Sequence, residues 1–385
     1  MVKSNSPPDD DGDRDRLNRR RDYLADYQAK RTRDSRNIAD GATSDRYRIR
    51  NPARRKRCKH DALAFLKSYT PEPFYLPFSD AHKSFIKDAE RAAIDGGQVA
   101  VAMPRGSGKS VCLARILLWC GLYGHRLFPV IATAKGGHYK SILDSLKTLL
   151  RDNEAIRRDF PEVVYPFLEI RGGGSRVAGQ HWDGKATNCE WTSELVKFAE
   201  TPLTRKRGNS GVIIGGGGIL GALRGLNYTL TTGEVLRPDL LLFDDVQTRE
   251  SAESEGQTDK REQSVHDCLA MSGPAKPPAA FMACTVIAPN DLSDRTLSEK
   301  NEYWSSHRIK TLERLPDNLD DWENGYRDAW RSELLKEAPE GTARKYYVAN
   351  REKLDAGAVH FWPELIDPGC ESAIESAMRL LLKNR

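Results

Sequence analysis

No uninterrupted apolar run in the 385 residues approaches the roughly 18 needed to cross a bilayer, so a helical membrane span is excluded. The leading MVKSNSPPDDDGD lacks the apolar stretch of a secretory signal, and a cytoplasmic setting is expected. Cysteine is sparse and scattered: the seven residues, at 58, 112, 120, 189, 268, 284 and 370, form no C-x-x-C pair. That spacing argues against both a disulfide framework and a zinc ribbon, and the lone Cys58-x-His60 pair reads as a surface turn. No internal repeat is visible. What remains, with 30% charged residues and a mean hydropathy of -0.62, is a globular chain long enough to bury a sizeable core without metal or disulfide staples.

The net charge of +5 hides an asymmetry. Residues 1–60 carry 18 Lys and Arg against 10 Asp, whereas the other 325 carry 42 basic against 45 acidic groups. Basicity therefore belongs to an arm. Runs such as Arg19-Arg20-Arg21 and Arg54-Arg55-Lys56-Arg57 suit phosphate neutralisation on DNA, and equally suit a solvated low-complexity tail. Large apolar residues are few before position 58, so residues 1–57 are expected to be a largely disordered basic arm with one short charged helix.

Beyond it, helical and apolar-strand patterns alternate. An amphipathic stretch around Ala62–Leu66 leads through Pro-rich PEPFYLPFS to a helical pattern near His82–Ile94. The apolar run Gln98–Met103 follows, then helical Val111–Leu122, the apolar run Leu127–Ala134, and a helix carrying Ile142, Leu143, Leu146, Leu149 and Leu150. This alternation predicts βαβ units and an α/β fold with a mostly parallel sheet covered on both faces. Glycine-rich sequence between 160 and 232, with GGG at 172–174 and GGGG at 215–218, predicts irregular strands and mobile loops. The apolar runs Leu240–Phe243 and Phe281–Ile287 then resume the alternation. Past Asn301 the pattern is helical, and Trp322, Tyr326 and Trp330 at i, i+4, i+8 read as a core face in preference to a base-stacking stripe. Residues 58–300 are expected to form the main domain and 301–385 a further helical region.

The strongest motif is Met103-Pro-Arg-Gly-Ser-Gly-Lys-Ser110, between a predicted strand and a predicted helix. Glycines at such a turn let consecutive amides face phosphate oxygens at the positive end of a helix dipole. Arg105, Gly106, Ser107, Gly108, Lys109 and Ser110 are the candidate phosphate-binding residues. Lys109 would reach the β- and γ-phosphates and the Ser110 hydroxyl would bind Mg²⁺, which makes the expected cofactor Mg·ATP. The spacing fits GxxxxGK[ST] except that Met103 stands at the first glycine. A second acid at a strand end is also required, and Asp239-Leu-Leu-Leu-Phe-Asp-Asp245 supplies it. Asp244 emerges at the carboxyl end of the strand as the candidate magnesium ligand, with Asp245 as the residue that orients or deprotonates water.

These residues together resemble the ATPase portion of tailed-phage terminase large subunits, over roughly residues 62–370. The resemblance rests on Phe74-Tyr-Leu-Pro-Phe78 with His82, the PRGSGKS loop, Val130-Ile-Ala-Thr-Ala134, Leu223-Arg-Gly225, LLLFDDVQTRESAES and Ala283-Cys-Thr285. It implies a RecA-like P-loop NTPase of the ASCE class that translocates double-stranded DNA into a procapsid in the host cytoplasm. Its partners would be a portal protein, a small terminase subunit and further copies of itself in a ring. It implies Arg224 as an arginine finger acting on a neighbouring subunit, with Arg237 as runner-up because NYTLTTGEVLRP intervenes before the acidic strand. It also implies Thr285 as a γ-phosphate sensor in a coupling motif, Glu250 as an alternative base where the family has a glutamate and this chain has Asp245, and Phe78 and His82 in the region that contacts adenine. The family's nuclease domain needs more than the 85 residues after position 300, which resemble the lid or linker that precedes it, including Ala343-Arg-Lys-Tyr-Tyr347 and Phe361-Trp-Pro363, so nuclease activity is not expected of this chain. A helicase-like or DNA-repair ATPase and a nucleotide-binding assembly protein with little turnover remain the alternatives.

Overall fold

Four apolar runs organise the molecule as a sheet. The computed structural model describes residues 21–24, 38, 45–168, 179–221, 223, 226–230, 233–270 and 277–383. Its main sheet contains β1 (Gly97–Ala102), β2 (Pro129–Thr133), β3 (Glu190–Trp191), β4 (Leu195–Lys197), β5 (Ile213–Gly218), β6 (Leu240–Asp244), β7 (Ala279–Cys284) and β8 (Ser305–Arg308). The strands lie in the order β8-β1-β7-β6-β2-β5-β4-β3. Every pairing from β8 to β5 is parallel, and β4 alone runs against its neighbours. The protein is thus α/β with a mostly parallel sheet, and β2, β6 and β7 are buried at every position because helices cover both faces.

Alternate residues of the strands feed two cores. Val99, Val101, Leu240, Leu242 and Phe281 pack with α1 (Ala62–Tyr69), α2 (Asp80–Asp95), α3 (Lys109–Tyr123) and α4 (His138–Asp152). Ala100, Leu241, Phe243, Ala280 and Met282 pack on the opposite face with Val265 and Cys268 of α5 (Glu255–Ala270). Helix α3 is buried almost all round, and it stops at Gly124, whose φ of +70° closes the helix against the Gly208 backbone.

Two local outcomes differ from the expectations. Gly215–Gly218 is not a loop: these glycines sit inside β5, paired with Val130–Thr133 of β2. The reason is close approach, since a Cβ on Gly216 would lie 2.5 Å from the Tyr139 ring and 2.7 Å from the Ile131 carbonyl oxygen. Cys58–His60 is a turn, but the Cys58 thiol is buried in the core and Trp119 Nε1 donates to the Cys58 carbonyl at 2.8 Å. Within residues 1–57, the helix Pro52–Arg57 is short and charged. Arg54 meets Asp159 at 2.7 Å and Arg55 meets Glu162 at 2.7 Å, tying the helix Pro52–Arg57 to the core.

Residues after 300 divide between two packings. Strand β8 joins the main sheet beside β1, and Trp362 reaches back to donate to the Pro77 carbonyl at 2.7 Å. Trp322 and Tyr326 are fully buried in a separate cluster with Tyr347 and Met378, built from α6 (Arg327–Leu334), α7 (Thr342–Asp355), α8 (Ala373–Lys383) and the turn before α6. Among the described residues no helix is long and apolar enough to cross a membrane.

Candidate active site

The carboxyl ends of the parallel strands are where an open α/β sheet offers its loops to a ligand. β1 ends there in the loop from Met103 to Gly108, which turns through left-handed backbone at Gly106 (φ +80°) and Gly108 (φ +82°) and enters α3 at Lys109. Glycine serves both positions because a side chain would strain that backbone. With Gly108 as the N-cap, no side chain caps the 15-residue helix, so its first amides keep the capacity to bind an anion. Arg105 and Gly106 are exposed, while Ser107 and Lys109 are buried.

A histidine supports this loop from behind. His82, on α2, has one ring nitrogen 2.9 Å from the Ser107 carbonyl oxygen and the other 2.7 Å from Ser79 Oγ. The carbonyl can only accept, so Nε2 carries the hydrogen and Nδ1 accepts from the serine hydroxyl. Burial lowers the His82 pKa and keeps the ring neutral. The ring packs among Phe78, Phe85, Phe361 and Trp362, which makes its contact with the loop a matter of support.

Asp244 ends β6, two strands away from β1, yet it comes beside the first turn of α3. Burial raises its pKa. The neighbouring Ser110 hydroxyl, His138 and Lys109 pull in the opposite direction, and Asp245 adds to the rise. His138 Nε2, at the start of α4, lies 3.5 Å from Asp244 Oδ2. Asp244 Oδ1 and Ser107 Oγ are buried and have no hydrogen-bond partner. A buried carboxylate oxygen without a donor is costly, and a cation carrying its own waters and phosphate ligands would satisfy it. Among the described residues no three His, Cys, Asp or Glu side chains converge as a metal cage. A magnesium ion held through one carboxylate, one hydroxyl and phosphate oxygens does not need one.

Asp245 follows in an exposed left-handed conformation with φ +43°. Aspartate tolerates that region at a strain on the order of 1 kcal/mol. Thr285, just past β7, donates its hydroxyl to Asp245 Oδ1 at 3.2 Å. β7 lies between β1 and β6, so the end of this strand brings Thr285 between the loop and the acidic pair. Cys284, the residue before, is buried, and burial pushes its thiol up to about 12.

The remaining candidates stand apart. Glu250 is exposed, and its carboxylate, held low by the amino end of its own short helix and by Thr248, also feels Lys135. Arg237 precedes β6 and so sits at the end of the strand opposite Asp244. Arg224 lies outside the described residues. Sequence reasoning overlooked His138, Gln247 and Arg261. The first was findable, because it follows closely on the carboxyl end of an apolar strand, whereas the other two act through space. Against this geometry, no protein-family model matches the chain and no curated protein matches it.

Proposed function

We propose that the chain is an ATP-hydrolysing P-loop motor of the RecA-like, ASCE type, the motor portion of a terminase large subunit that drives double-stranded DNA into a procapsid. The observation that carries this reading is the meeting of Ser110, at the amino end of α3, with Asp244, at the end of β6. A serine hydroxyl and a carboxylate brought together beside an uncapped helix start and a buried lysine is what a magnesium-bound triphosphate requires. The position of β7 between the loop strand and the acidic strand supports the RecA-like reading, because it delivers Thr285 to Asp245.

In this reading Arg105, Gly106, Ser107, Gly108 and Lys109 hold the phosphates, while Ser110 and Asp244 hold Mg²⁺. The ion would neutralise charge on the phosphate oxygens. Asp245 orients and accepts a proton from the attacking water, Thr285 holds that carboxylate in place, and Glu250 is the alternative base. Arg224 would serve a neighbouring copy in a homo-oligomeric ring, with portal protein and small terminase subunit as partners in the host cytoplasm.

The test is phosphate release from ATP by the full chain with Mg²⁺ and double-stranded DNA, alone and with portal and small subunit. Lys109→Ala is expected to fall to about 1% of wild type or less, as loss of a transition-state charge partner does. Equal turnover in that variant would overturn the reading. Hydrolysis without capture of a portal ring would move it to a helicase-like or DNA-repair ATPase, and nucleotide binding without phosphate release in the full assembly would move it to an assembly protein.

A further inference from the structure

We propose that Gln247 is a positioning residue for hydrolysis: its buried side-chain amide ties the acidic turn to the Thr285 end of β7 and thereby holds Asp245 in its left-handed conformation. The inference rests on the hydrolytic reading above and deepens it.

Gln247 follows Asp245 by two residues and is buried. Its Nε2 lies 2.9 Å from the Thr285 carbonyl oxygen, 2.9 Å from Asp291 Oδ2 and 3.0 Å from Ser293 Oγ. The first two are pure acceptors, so the amide cannot be flipped: Oε1 in that place would face a carbonyl and a carboxylate. Asp291 is itself fixed, accepting from Ile287 N at 2.6 Å and Ala288 N at 3.0 Å through the same oxygen, and from Asp294 N through the other. Gln247 therefore fastens the turn to a loop that is already closed on its own helix cap. The opposite edge of the turn is held as well. Arg261 of α5 donates to the Val246 carbonyl at 2.7 Å, and the Asp245 carbonyl accepts from Ala134 at 3.3 Å.

The geometry has a functional consequence. A non-glycine residue keeps a left-handed φ only where its surroundings over-determine it, and Asp245 is gripped through the residues on either side of its carboxylate. The same Thr285 that donates its hydroxyl to Asp245 accepts from Gln247 through its carbonyl. Loss of the Gln247 amide frees the Thr285 backbone and the acidic turn together. The carboxylate then drifts from the water it must orient, whereas the phosphate loop, attached to β1 and His82, is untouched.

Steady-state ATP hydrolysis by the full chain tests this, with Lys109→Ala in the same series. Gln247→Ala is expected to lower kcat about 10- to 100-fold, the effect of a misplaced reacting group, with nucleotide affinity within about three-fold of wild type. Gln247→Glu keeps the length but replaces donors with acceptors, and it is expected to lose at least as much. Thr285→Ala keeps the backbone carbonyl and removes the hydroxyl, so Thr285→Ala combined with Gln247→Ala should lose little more than the worse single variant. Wild-type kcat in Gln247→Ala or Gln247→Glu overturns the proposal. So does a loss of kcat matched by an equal loss of folded protein in thermal melts, or strict additivity with Thr285→Ala. Wild type no faster than Lys109→Ala overturns the hydrolytic reading, and this inference with it.

Discussion

The two ends of the sheet treat their polar groups in opposite ways. At the amino ends, Arg126 is fully buried and donates to the carbonyls of Ala92, Ala93, Asp239 and Pro277. Asp239 beside it accepts from the amides of Leu127 at 2.7 Å and Phe128 at 2.8 Å. At the carboxyl ends, Asp244 Oδ1, Ser107 Oγ and Gln247 Oε1 are buried without partners, and Asp245 holds a strained φ. The amino end uses its hydrogen-bonding capacity mainly on the fold, although Gln98 Oε1 at the start of β1 is also buried without a partner. The carboxyl end gathers three such atoms beside a strained residue, and a cluster of buried unpartnered polar atoms suits a ligand.

The largest effect should come from breaking the carboxyl end. Asp244→Asn is expected to lower hydrolysis about 100-fold or more, because in the proposed function Asp244 is the carboxylate that would hold magnesium, while the melting temperature holds or rises. Burial already disfavours the charge that the substitution removes, and strained or unsatisfied sites commonly trade stability for activity. A variant that both melts earlier and still hydrolyses ATP would make Asp244 a structural residue.

A smaller effect of the opposite kind is expected at the structural end. Arg126→Met leaves carbonyls of four residues short of a donor and should destabilise the protein by about 2–4 kcal/mol, read in denaturant melts. Turnover per folded molecule should stay at the wild-type value. Loss of turnover at constant stability would erase the distinction between the ends.

How much of this was readable from residues alone follows the same division. Continuous apolar runs in β1, β6 and β7 declare buried parallel strands, and the loop before α3 is legible because its glycines stand where left-handed backbone is needed. Strand β8 is not legible. Its Ser-Ser-His-Arg has no apolar residue, and it is docked by polar contacts: Asp88 of α2 accepts from Ser305 Oγ at 3.0 Å and meets His307 Nε2 at 2.9 Å. The glycines of β5 mislead for a related reason, since their usual meaning is freedom whereas here they make room for the Tyr139 ring. His138 follows closely on the carboxyl end of an apolar strand and could have been found there, whereas the contacts of Gln247 with the Thr285 loop and of Arg261 of α5 with the acidic turn are convergences in space that no local pattern announces. The role of Arg224 stays a matter of resemblance.

The finest test of the comparison is proton uptake, where the two ends should answer pH with opposite signs. His82, under the loop from Met103 to Gly108, has its pKa lowered by burial. Below the ordinary histidine range the unfolded chain takes a proton that the folded chain refuses, so the stability it contributes is complete above that range and is lost as pH falls toward the folded value. Asp239 has its pKa raised by burial, against the pull of the Leu127 and Phe128 amides and of Arg126. The folded chain keeps this proton longer than the unfolded one, so its contribution is complete at low pH and is lost as pH rises through the folded value. Denaturant melts of His82→Gln and Asp239→Asn, each against wild type from about pH 4 to pH 8, isolate the two groups. The first difference should tilt toward the variant on acidification and the second toward the variant as pH rises. Two differences that move together would mean that neither group titrates in the surroundings described, and the contrast between the ends would then rest on hydrogen bonds alone.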